Sequence, residues 1–121
     1  MIRLAFALSY LLFAGVAAAQ NAGCKRNDFG VFEDINCATE AAQTADRELN
    51  ATFTKLLEIL RPAEAAALRK AQDSWMEYVK VDARFVLERE GNGSAGHLVV
   101  VNNRERLTRE RTLALKSWLP R

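Results

Sequence analysis

Between Asn36 and Pro62, Ala38, Ala42, Ala45, Leu49, Phe53, Leu56 and Leu60 recur at steps of three and four residues. That spacing draws one apolar face of a helix. It predicts a first helix from about Cys37 to Leu60, with Asp34 or Asn36 as its cap. Arg61-Pro62 should end it, because the residue before proline is pushed out of the helical region and proline suits the first turn of a new helix. A second helix then runs from Pro62 to about Arg89, its buried side marked by Leu68, Ala71, Trp75, Tyr78, Phe85 and Val86. The cluster "EGNGSAG", Glu90 to Gly96, reads as a loop. A third helix is expected from His97 to Trp118, its face given by Val100, Val101, Leu107, Ala114, Leu115 and Trp118. The run "HLVVVN" has strand character, but a single strand has nothing to pair with. The expected fold is therefore all-α, a small antiparallel three-helix bundle. Its packing core should include Leu49, Phe53, Trp75 and Leu115.

Upstream of the first helix the period is lost. Gln20 to Ile35 mixes Gly, Asn and Asp with Phe29, Val31 and Phe32 and is expected to be an irregular arm. Before it, a positive head, an apolar run from Leu4 to Val16 and Ala17-Ala18-Ala19 have the three parts of a secretory signal peptide cleaved near Ala19. The apolar run is shorter than the roughly 20 residues that span a bilayer, so no stable membrane anchor is expected after cleavage. Residues 20–121 then form one domain, exported to the periplasm or secreted. Cys24 and Cys37 both lie in that part, and an even pair of cysteines in an oxidising compartment reads as a disulfide tying the arm to the first helix. Closing twelve intervening residues would contribute about 3 kcal/mol in the chain-entropy model. Ala22-Gly23-Cys24 also resembles the end of a lipoprotein cleavage site, but Asn21 stands where an aliphatic residue is normally needed, so lipidation is not expected.

Charge changes the picture little. The chain has 17 Lys and Arg against 15 Asp and Glu, with an acidic first half and a basic second half. The gradient is too weak to argue for nucleic acid. More informative are the polar residues on the apolar stripes. Asp46 and Asn50 sit one turn apart beside Leu49 and Phe53, Gln72 accompanies Trp75, and Arg111 precedes Leu115 by one turn. Asp46 and Arg111 could meet as a bidentate pair, with Asn50 and Gln72 satisfying the remaining donors and acceptors. The alternative, a catalytic carboxylate, lacks a second carboxyl on the same face, and the single histidine, His97, stands beside a loop. No nucleophile triad, HExxH motif or phosphate loop is present. Nothing calls for a cofactor or metal, and the polar set reads as structural. The sequons at Asn50 and Asn92 read as incidental, and "RERLTRER" as a solvated helix face apart from Arg111.

These residues resemble a known family, the LprI-like lysozyme inhibitor domain of exported bacterial proteins. The resemblance is carried by "INCATEAAQTADRELNATFTKLLEIL", by "LRKAQDSWMEYVKVDARF", and by "GNGSAG" with "LTRERTLAL". It implies shared positions at Cys24, Cys37, Asp46, Leu49, Asn50, Gln72, Trp75, Thr108 and Arg111. It also implies a second cysteine pair, and the corresponding positions here are Ala83 and Asn103. Both cysteines of that pair are missing together.

The function implied is that of a non-enzymatic envelope binding protein that blocks a lysozyme. Its rival is a periplasmic structural or stress-related module without lysozyme contact. A fold does not carry its function with it. Gly91, Asn92, Gly93, Ser94 and His97 form a candidate partner-contact loop, where glycines allow close backbone approach, although a plain connector is the reading that most bundle loops of this length bear out.

Overall fold

A computed structural model describes residues 31–121. It holds three helices, α1 (Val31–Ile59), α2 (Pro62–Glu90) and α3 (Ser94–Lys116), with no strand among the described residues. The run "HLVVVN" is helical, as expected. The expected signal peptide, Cys24 and the expected arm up to residue 30 lie outside the described residues. Cys37 stands near the start of α1, and no free cysteine is found among the described residues.

α1 begins well before its expected cap, so Asp34 and Asn36 are inside the helix. The physical reason is that the apolar stripe continues upstream: Ile35 is half-buried and Ala38 buried, while the Thr39 hydroxyl donates to the Ile35 carbonyl at 2.7 Å. The break at Arg61-Pro62 is where the sequence places it. Pro62 opens α2, and the Glu64 carboxylate accepts the Arg61 backbone N–H at 2.9 Å, one half of a capping box.

The second connection is shorter than expected. Only Gly91, Asn92 and Gly93 separate α2 from α3. Gly91 takes φ +87° and donates its N–H to the Leu87 carbonyl at 2.8 Å, a left-handed exit that favours glycine. Gly93 caps α3, accepting the His97 N–H at 3.0 Å. Gly96 is buried on the first turn of α3, facing Gly91: a Cβ added there would lie 1.9 Å from the Gly91 carbonyl oxygen. At the far end α3 tightens, with Trp118 and Leu119 bonding three residues back. The tighter turn leaves Trp118 75% exposed and brings Leu119 onto the core instead.

α3, the last helix, is the central one. It packs along most of α1 and more lightly along α2, while α1 and α2 barely touch. Asp46 meets Arg104, and Leu56 shares a cluster with Leu115, so α1 and α3 run in the same direction. α2 runs against α3, with Gln72 opposite Arg111 and Asp82 opposite Asn103. The core is Leu49, Leu56 and Leu115, with Phe53, Leu60, Leu68, Trp75 and Leu119 packed around it. Toward the other end Ala38, Ala42 and Ala45 are buried, small side chains that let α1 approach α3 closely.

Two expected faces are corrected. On α2, Ala71, Tyr78 and Phe85 are exposed, and Gln72 and Val86 are its buried residues. On α3, Ala114 and Trp118 are exposed, while Thr108 and Thr112 are buried at 1% and 3% exposure. A threonine can occupy such a place because its hydroxyl turns back on its own helix: Thr112 donates to the Thr108 carbonyl at 3.0 Å, and Thr52 to the Glu48 carbonyl at 2.8 Å.

Candidate functional site

Because α1 and α2 lean on α3 without closing on each other, a groove of about 520 Å³ opens between them. That volume lies within the range of small-ligand pockets. α1 contributes Asp46, Leu49 and Asn50; α2 contributes Gln72, Trp75, Met76, Val79, Lys80 and Ala83; α3 supplies Val100, Asn103, Arg104, Leu107 and Thr108. Leu49, Leu107 and Thr108 are buried at its floor, Trp75 and Val79 are half-buried, and Met76, Asn50, Lys80 and Arg104 stand exposed at the rim. The surface is thus mostly apolar with hydrogen-bonding groups along its edges.

The polar residues picked out by the sequence gather here, but not in the pairing expected. Asp46 does not meet Arg111. One of its carboxylate oxygens accepts from Arg104 at 2.6 Å, and the Thr108 hydroxyl lies 3.5 Å from the other. Arg111, half-buried, instead donates its Nε–H to Gln72 Oε1 at 3.0 Å. Partial burial lowers the pKa of that guanidinium, though an arginine remains charged at any physiological pH. Asn50 is exposed and lies outside the buried network, whereas Gln72 is 7% exposed. No buried side-chain nitrogen or oxygen among the described residues lacks a hydrogen-bond partner.

Asn103 and Ala83 both line the groove, and Asn103 Nδ2 donates to Asp82 at 2.5 Å. Where the family resemblance implies a cystine, a side-chain hydrogen bond joins α2 to α3. Asn103 also accepts from Arg106 at 2.7 Å, which orients its amide.

The candidate loop residues divide. Gly91, Asn92 and Gly93 form the connector, while Ser94 and His97 belong to the first turn of α3; all five are exposed. The tip is short and held by its own hydrogen bonds.

Sequence reasoning missed Arg104 as the partner of Asp46, and Met76, Val79 and Lys80 as groove residues. Thr108 was named only through the family resemblance. Arg104 and Arg111 are seven residues apart, two turns along one side of a helix, and a wheel alone does not say which reaches Asp46. Among the described residues, no group of three or more His, Cys, Asp or Glu is placed to hold a metal ion. No described helix is long and apolar enough to cross a membrane.

A family model described as lysozyme inhibitor LprI matches residues 24–115. No curated protein and no solved structure matches the chain.

Proposed function

The chain belongs to the LprI lysozyme inhibitor family, and from that premise we propose that it is an exported, non-enzymatic binding protein that blocks a lysozyme through the groove between α1 and α2. The family match over residues 24–115 carries the reading. It is supported by the leading apolar run, which suits export, and by a concave surface on which apolar area is framed by polar rim groups. Under this reading Trp75 is a rigid wall, Met76 an adaptable apolar contact, and Asn50 and Lys80 hydrogen-bonding rim groups. The connector tip, Gly91 to Ser94 with His97, is the second candidate surface. A tip this short reaches little way into an enzyme cleft. The Cys24–Cys37 bond and cleavage near Ala19 belong to the same proposal, and mass spectrometry with thiol titration of the secreted protein tests both.

Lysozymes of the animal type are strongly cationic, and an acidic contact surface would speed encounter. Much of the acidic side of α1 is already engaged within the protein, however. Asp46 pairs with Arg104, and Glu48 with Lys116 at 2.5 Å and Arg109 at 3.9 Å. Shape and apolar contact should therefore dominate over charge.

The test is a cell-wall turnover assay with purified protein and a panel of lysozymes. Inhibition that saturates near one-to-one is expected. Met76→Glu, at an exposed rim position, should weaken it by about tenfold or more, because it replaces an apolar contact with a charge that binding would desolvate. Asn92→Ala should leave it unchanged. Unimpaired turnover at large excess of protein, with no complex on gel filtration, would support the structural-module reading instead. Sensitivity to Asn92 but not to Met76 would move the contact to the tip.

A further inference from the structure

α2 carries apolar residues on two sides, and the fold uses one. Gln72, Trp75, Val79 and Val86 face the groove and α3. About a third of a turn away, Ala67, Ala71, Ser74, Tyr78, Val81 and Phe85 recur at steps of three and four. Tyr78, Val81 and Phe85 are 53%, 52% and 61% exposed. A contiguous apolar stripe on a small domain marks an interaction surface. At 1.5 Å per residue it runs for about 27 Å.

We propose that this stripe is a two-fold interface with a second copy of the same chain, the two α2 helices lying antiparallel. The charges beside it choose that occupant. Lys70, Asp73, Arg84 and Glu88 lie along one flank, all exposed, and none is in an ion pair among the described residues. Their signs invert about the Tyr78–Val79 step: Lys70 and Glu88 are centred on Val79, and Asp73 and Arg84 half a residue earlier, between Tyr78 and Val79. Across an antiparallel two-fold axis, same-flank positions face each other. Lys70 then meets the second copy's Glu88, and Asp73 its Arg84, each pair formed twice, as an isologous contact requires. Side-chain size inverts about the same point. Ala67, Ala71 and Ser74 are small where Val81 and Phe85 are large, so Phe85 of each copy rests over Ala71 and Ser74 of the other. Glu77 and Lys80 straddle the midpoint with opposite signs and already pair within the helix at 3.7 Å. With two acids and two bases, the flank gives a cationic enzyme or an anionic membrane no particular attraction. A second copy satisfies all four charges.

Sedimentation equilibrium of the purified protein over a range of concentrations tests the proposal. A reversible monomer–dimer equilibrium is expected. Phe85→Asp, at an exposed position, should leave the helical circular dichroism intact and the protein monomeric. Lys70→Glu should weaken dimerisation by about tenfold or more, since it sets like charges face to face, and adding Glu88→Lys in the same chain should restore it. A protein that stays monomeric at all concentrations would overturn the interface. So would a dimer indifferent to Phe85, a charge reversal that the second change does not rescue, or binding of the stripe to lipid vesicles in place of self-association.

Discussion

Gln72 and Asp46 show how differently two polar side chains on apolar stripes can be held. The Gln72 amide is buried and its oxygen is committed to Arg111. Arg111→Ala should leave that acceptor without its donor and cost about 1–3 kcal/mol. Asp46 pairs with an arginine whose side chain is 56% exposed, so Arg104→Ala should cost no more than about 1 kcal/mol. Denaturant unfolding of the singles and of both double mutants would check this. Coupling is expected between Gln72 and Arg111, and additivity between Asp46 and Arg111, which do not touch. Gly96 is the other residue with little room for change. Gly96→Ala drives a methyl group into the Gly91 carbonyl, a backbone neighbour that cannot swing aside, and should cost at least about 1–3 kcal/mol. Gly93→Ala meets nothing within 4 Å at an ordinary negative φ. It should lie within about 1 kcal/mol of neutral, since the lower entropy of the unfolded chain is offset by alanine's poorer fit to a helix N-cap, and a thermal melt of the two variants separates the cases.

At the scale of elements, α1 was the most legible. Its stripe of Ala38, Ala42, Ala45, Leu49 and Leu56 is the buried face, because α1 packs chiefly on one neighbour and so has one apolar side. α2 was the least legible, since Tyr78 and Phe85 belong to one side and Val79 and Val86 to another. Periodicity reports that a side is apolar, not what covers it. The start of α3 is hidden in the sequence because Ser94 and Ala95 stand among glycines, yet Ser94 opens the helix directly after the Gly93 cap. The groove could not be read at all: it exists because α1 and α2 stay apart, a matter of helix placement that no single helix's pattern contains. Its polar residues were visible as exceptions to the stripes, but their pairing depends on the register between helices, set by Leu49, Leu56 and Leu115 packing together.

In the whole molecule, the acidic-to-basic gradient along the chain becomes a set of contacts between its first and last helices. Lys116 donates a hydrogen bond to Glu48 and sits beside it as a positive charge, and Arg109 adds a second positive charge, so the Glu48 pKa falls below its ordinary value. A carboxylate with a depressed folded pKa stabilises the fold above its unfolded pKa. That contribution is lost as pH falls through the folded one. The pair is solvent-exposed, so the contribution should not exceed about 1 kcal/mol. Lys116→Ala should lower stability at neutral pH and flatten the decline below about pH 5. Melting curves at pH 7 and pH 3 measure the difference, which should be smaller at the lower pH.

The central place of α3 has a consequence for how the chain acquires its structure. Emerging from its N-terminus, the chain presents α1 and α2 first, and these two have almost nothing to hold them together. The ties that close the fold reach across 58 residues from Arg104 to Asp46 and across 68 from Lys116 to Glu48. Contacts so distant in sequence are slow to form, and here they must wait until α3 has appeared. Until then α1 and α2 can form no more than transient helices with open apolar stripes. A polypeptide with this order of helices makes most of its tertiary contacts only after α3 has been added, because α1 and α2 each pack on α3 rather than on each other.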